Sequence, residues 1–132
     1  MPGPNFVGLD KGFNASTEVG QFHVVVQTDT EDCAEAENAT TRPLGIAQEA
    51  ARADDRDVGN RTINVRMLGI SRGVIATASG LDIGDNVSAN ADGQLVASTA
   101  EDFVVGYLLT EPEADGDHAD VMLTPGVVTP AA

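Results

Sequence analysis

A set of oxygen ligands interleaved with glycine lies in residues 78–97, ASGLDIGDNVSANADGQLVA, where Asp82, Asp85, Asn86, Asn90 and Asp92 are spaced among Gly80, Gly84 and Gly93. Oxygen donors interleaved with glycine are what a calcium loop requires. Such a loop needs side chains at its positions 1, 3 and 5, glycine at 6 and a bidentate carboxylate at 12. Ser88, Asn90 and Asp92-Gly93 meet the first half of that pattern, but the last position falls on Thr99, which cannot chelate as glutamate does. The same residues read better as turns. Asp92-Gly93 separates the strand-like runs NVSA and QLVA, and Gly84-Asp85 leads into the first of them. Both dipeptides tolerate the positive φ that short turns demand.

Other chemistry is sparser. His23 and His118 are the only histidines, and their spacing from each other and from Asp117 or Asp120 matches no metal-site type. Cys33, in EDCAEAE, is the single cysteine, so no intrachain disulfide forms, and neighbouring acids should raise its thiol pKa rather than activate it. The acid pairs Glu31-Asp32, Asp54-Asp55 and Glu101-Asp102 sit in polar segments with nothing to desolvate one partner for acid–base work. A nucleophile elbow, a phosphate loop and a dinucleotide fingerprint are all absent. The expectation is a non-enzyme with no catalytic, metal-binding or cofactor-binding residues.

Charge narrows the partners. A net charge of −14, with 21 acids against 7 bases, opposes binding to nucleic acid and to anionic membranes. The same composition fits either a well-solvated surface that favours solubility, as in a protein of a high-GC bacterial host, or a protein of a halophilic host, where molar salt shortens the screening length to about 3 Å and relieves self-repulsion. The N-terminus lacks a basic region before an apolar run, and FVVGYLL at 103–109 is too short to span a bilayer, so a soluble protein made in the cytoplasm is expected. Four N-x-S/T sequons begin at Asn14, Asn38, Asn60 and Asn86. They matter only if the chain meets a glycosylation system, and otherwise serve as turn and strand residues.

The elements that would carry these residues are mostly strands. QFHVVVQT (21–28), RTINVRMLG (61–69), GVIATA (73–78), DNVSA (85–89), QLVAS (94–98), FVVGYLLT (103–110) and ADVMLT (119–124) are β-branched or alternate with period two. Turn signals such as LGISRG and GLDIGD separate them. This predicts an all-β fold, a single small β-barrel or β-sandwich of about seven to nine short strands. TEDCAEAENAT (30–40) and IAQEAARADD (46–55) are the two places where a turn or two of helix is expected. Residues 1–18 read as an extended N-terminal arm, 19–124 as the β-domain and 125–132 as a C-terminal tail. Internally, LGIAQEAA followed by INVRML is similar to VGYLLTEP followed by ADVMLT, which implies two alike hairpins.

The ordered set Gly45–Gln48 (GIAQ), Val65–Gly69 (VRMLG), Ile83–Gly93 (IGDNVSANADG) and Val105–Leu109 (VGYLL) resembles the small capsid-cement, or head-decoration, proteins of tailed phages and related viruses. The resemblance runs from 44 to 124 and leaves the N-terminal forty residues and the Pro-rich tail less well matched. It implies a virion structural protein without catalytic residues that binds the major capsid protein on the capsid exterior, often as a homotrimer, and stabilises the shell. The apolar residues of the N-terminal arm, Phe6, Val7, Leu9 and Phe13, are then the candidate capsid or subunit contacts. An alternative is a small β-barrel adaptor or carbohydrate-binding module of a virion or cell surface. That reading wants exposed aromatic side chains, and only Tyr107 comes near the requirement.

Overall fold

The computed structural model describes residues 8–52, 58–124 and 126–131. Nine strands form it: β1 (Gly8–Ala15), β2 (Val24–Gln27), β3 (Asp32–Glu35), β4 (Gly45–Ala47), β5 (Thr62–Val74), β6 (Asn86–Ala89), β7 (Leu95–Ala97), β8 (Gly106–Leu108) and β9 (His118–Leu123). They make one sheet in the order β1-β3-β2-β4-β5-β9-β8-β6-β7, with β1 also paired to β5. That last pairing closes the first five strands into a small barrel. Beyond it, a single parallel bridge from Ile75 to Leu95 partly closes the rest. The fold is all-β.

Three expectations change. Residues 68–73, LGISRG, were expected to turn, but β5 runs straight through them. Its N-terminal half pairs with β1 and β4 and its C-terminal half with β9, so one long strand serves both closures. The described parts of the two segments hold no helix: β3 takes Asp32–Glu35 of the first, and β4 takes Ile46 and Ala47 of the second. Ala36, Ala47 and Ala51 are buried there, where tertiary packing outweighs helix propensity. Residues 8–15, expected as part of an arm, pair along β5 from Gly8 opposite Gly69 to Asn14 opposite Thr62.

The hairpin similarity extends into a repetition of the whole topology. One unit comprises β1, β2, β3, β4 and the first half of β5; the other comprises the second half of β5, then β6, β7, β8 and β9. In both units the second and third strands form an antiparallel hairpin, the fourth pairs with the second, and the fifth pairs with the fourth. The register repeats as well. Val25 opposite Glu35 and Gly45 recurs as Val87 opposite Ala97 and Gly106. Arg66 opposite Ile46 and Asp10 recurs as Met122 opposite Tyr107 and Ile70. The parallel contact of Ala15 with Cys33 recurs as Ile75 with Leu95.

Loop hydrogen bonds follow suit. Phe22 N–H donates to the Ala47 carbonyl and Gly84 N–H to the Leu108 carbonyl, both at 2.8 Å. The two donors share a left-handed backbone, with φ 63 at Phe22 and φ 90 at Gly84. Gly45 and Gly106 hold the equivalent place in the two hairpins quoted above. A Cβ at either would collide with a carbonyl oxygen of the facing strand, that of Arg66 or of Met122. Close strand approach therefore explains the glycine in each copy of the sequence motif.

Two apolar cores result. Phe13, Ala15, Val25, Cys33, Ala47, Ile63 and Val65 fill the N-terminal barrel. Ile75, Val87, Leu95, Leu108 and Val121 lie in the other core, joined by Val24, Ala36 and Ile46 from the N-terminal unit. Successive residues thus face opposite cores: Val24 and Val25 in β2, Ile46 and Ala47 in β4. A strand buried on both faces reads as an uninterrupted apolar run, which accounts for the VVV of β2. Gly73, the register counterpart of Phe13, leaves room that Leu95 and Ile46 occupy. The halves thus share a core.

Candidate functional site

In the 78–97 stretch Asp85 and Asn90 are turn caps. Asn90 Oδ1 accepts from the Asp92 and Gln94 amides at 2.9 Å each, and Asp85 Oδ2 accepts from the Asp82 amide at 2.9 Å. Ser88 Oγ meets Ser98 Oγ at 2.6 Å. Gly93 takes φ 73, while Asp92 keeps a negative φ, so only the glycine of that pair uses the left-handed region. The same device recurs at Asp102, which accepts from the Thr99 amide and hydroxyl, and at Asp117, which accepts from the amides of Glu113 and Ala114. Among the described residues no group of three or more His, Cys, Asp or Glu side chains is placed to hold a metal ion.

The histidines lie apart in function. His118 starts β9 and meets the Phe22 ring edge-to-face at 5.3 Å. His23 precedes β2, with Nδ1 3.0 Å from Glu35 Oε2. The approach is close but poorly aligned for a directed N–H bond, so it acts chiefly as an ion pair. Contact with the Glu35 carboxylate, opposed by burial and aided by the Asp92 carbonyl, raises the His23 pKa. Glu35 Oε2 also accepts from the Gly20 amide at 2.8 Å. Cys33 is fully buried, and burial, then Asp32, pushes its thiol up to about 11. The acid pair Asp54-Asp55 lies outside the described residues.

Of the four apolar residues assigned to the arm, Phe6 and Val7 lie outside the described residues. Phe13 is 2% exposed, its ring in the N-terminal core with the Lys11 ammonium 4.5 Å from its centroid. Leu9 is different, being 56% exposed directly opposite Leu68 at 45%. The cross-strand leucines form one wall of an open cleft of about 560 Å³. Pro43, Leu44 and Met67 extend its apolar surface, and Gln27, Thr41 and Arg42 give it a polar margin. Just below the leucines, Asp10 clasps Arg66 through two hydrogen bonds of 2.7 and 3.0 Å, and Asn64 donates to it at 2.8 Å. The Arg66 guanidinium holds the Asp10 carboxyl below its ordinary pKa. This network braces the bulge between Leu9 and Asp10 that turns Leu9 outward.

The cleft was not foreseen beyond Leu9. Its one sequence signal is the adjacent pair Met67-Leu68, which breaks the alternation of Ile63, Val65 and Met67 and so leaves an apolar side chain on the outer face.

No protein-family model matches the chain, and no curated protein matches it in sequence. Among solved structures, it is similar to the N base of the head fiber gp8.5 in bacteriophage phi29, with a TM-score of 0.67 and 19% sequence identity. The likeness covers 89% of this chain and 95% of that one, and shows a shared fold over nearly the whole of both.

Proposed function

We propose that the chain is a structural protein of a phage-type virion that docks on the outer surface of the assembled head and reinforces it. The observation that carries this reading is the fold likeness, over 89% of the chain, to the base of a phage head fiber. The motif order from Gly45 to Leu109, which resembles head-decoration proteins, supports it independently of that fold. Residue chemistry agrees. Acids cap turns, the thiol is buried, and the net charge of −14 suits a module working outside a DNA-filled shell rather than on the DNA. The proposal includes the major capsid protein as partner, a homotrimeric state, and no catalytic role. It is tested by mixing the purified chain with heads of the virus whose genome encodes it, prepared without the protein. Co-sedimentation, added surface density in electron micrographs and a higher disruption temperature are expected. Heads that sediment bare would overturn the reading.

A further inference from the structure

We infer that the cleft between Leu9, Leu68 and Arg42 seats an extended segment of the head's shell protein, one presenting an apolar side chain beside a carboxylate. The inference rests on the head-docking reading and assigns it a surface. Its first support is the internal repetition. The register equates Gln27, Leu44 and Met67, which line the cleft, with Ala89, Val105 and Leu123 of the C-terminal unit. Those three are 5%, 3% and 7% exposed, because the N-terminal unit packs over them. Pro43, Leu44, Gly45 and Met67 close on Val105 and Leu123 there. The N-terminal unit therefore keeps open the surface that its twin has covered by polypeptide.

The second support is what stands at the opening. Leu9 and Leu68 are two of the five exposed large apolar side chains among the described residues, and they face each other across the β1–β5 ladder. Arg42 lines the same cleft, its guanidinium lying next to Gly126, and has no ion pair or side-chain hydrogen bond among the described residues. In a chain with 21 acids and 7 bases, an unclaimed guanidinium on an apolar cleft favours an external carboxylate.

A second copy of this chain makes a poor occupant. The wall that covers the C-terminal core is Val24, Ala36 and Ile46. Its counterparts on the outward face of the C-terminal unit are Asn86, Ser98 and Tyr107, a polar set that cannot repeat the apolar packing.

The test uses full-length protein and purified heads lacking it, with binding measured by sedimentation at several salt concentrations. Leu68→Ser and Arg42→Glu should each weaken binding at least about tenfold. Ile83→Ser, at an exposed site of the other unit, and Arg72→Glu should bind as the parent does, with all four melting normally. Parent binding retained by both cleft variants would overturn the inference while leaving the docking reading intact. A parent that binds no heads removes both. A self-associated parent that Leu68→Ser converts to monomer, with head binding unchanged, would give the cleft to a second copy and overturn the inference too.

Discussion

Replacing Phe22 by glycine and, separately, by alanine isolates the strain at the one left-handed position where the two halves differ in residue type. Phe22 holds φ 63 where its counterpart Gly84 holds φ 90. The ring packs partly buried against the core shared by both units and edge-to-face on His118. Either substitution removes that packing. Half of the usual cost of a fully buried Phe→Ala change is about 2 kcal/mol, and the aromatic pair adds about 0.5–1.5 kcal/mol. The variants then part company. Alanine keeps the left-handed penalty of about 1–2 kcal/mol, whereas glycine is free of it. Glycine loses about 0.4–1 kcal/mol of this advantage through its larger unfolded-state entropy. The balance leaves Phe22→Gly ahead of Phe22→Ala by somewhat under about 1 kcal/mol, or roughly 2–3 °C in a chain of this size. Urea unfolding of the three proteins reads the order as parent, then glycine, then alanine. Alanine equal to or above glycine would refute the left-handed assignment and, with it, the equivalence of Phe22 and Gly84.

Ile46 is fully buried in the shared core although it belongs to the N-terminal unit; Ile46→Ala should cost about 2–5 kcal/mol and leave one calorimetric transition, whereas two separated transitions would show independent halves. Gly45→Ala and Gly106→Ala each drive a methyl group into a facing carbonyl oxygen, so both should lose about 1–3 kcal/mol or more by chemical denaturation, and a neutral result at either would contradict the close approach. The His23 pKa is raised by Glu35. Its stabilising contribution is therefore complete below the imidazole's unfolded value of about 6.5 and fades as pH rises through the higher folded value. The melting difference between parent and Glu35→Gln should accordingly shrink from pH 5.5 to roughly pH 8.5, and a constant or growing difference would exclude the pair as its source.

Much of the architecture is readable in the residues because it rests on local signals. Period-two runs mark β5, β6, β7 and β9, and the Gly84-Asp85 and Asp92-Gly93 dipeptides lie at turns. The hairpin similarity is readable too, since Gly45 and Gly106 answer the same backbone approach. What escapes is set by distant partners. LGISRG has turn composition, yet β1, β4 and β9 supply hydrogen-bonding edges on both sides of it and keep β5 extended. The alanine-rich 46–51 segment has helix propensity, but Ile46 and Ala47 face two different cores, which only a strand allows. Phe13 reads as a free anchor until the closure of β1 on β5 turns it inward. The cleft is hidden for the same reason: Leu9 and Leu68 are far apart in sequence, and the bulge that exposes them has only the Met67-Leu68 pair as a local sign.

The central claim is that this β-module recognises an assembled head. Its most direct test is saturation binding of the purified chain to assembled heads that lack it, in parallel with unassembled shell protein from the same virus. The account predicts saturable binding to heads, a fixed number of copies per particle, and much weaker binding to the unassembled protein. Equal affinity for both, or no saturable binding to heads at all, would contradict it.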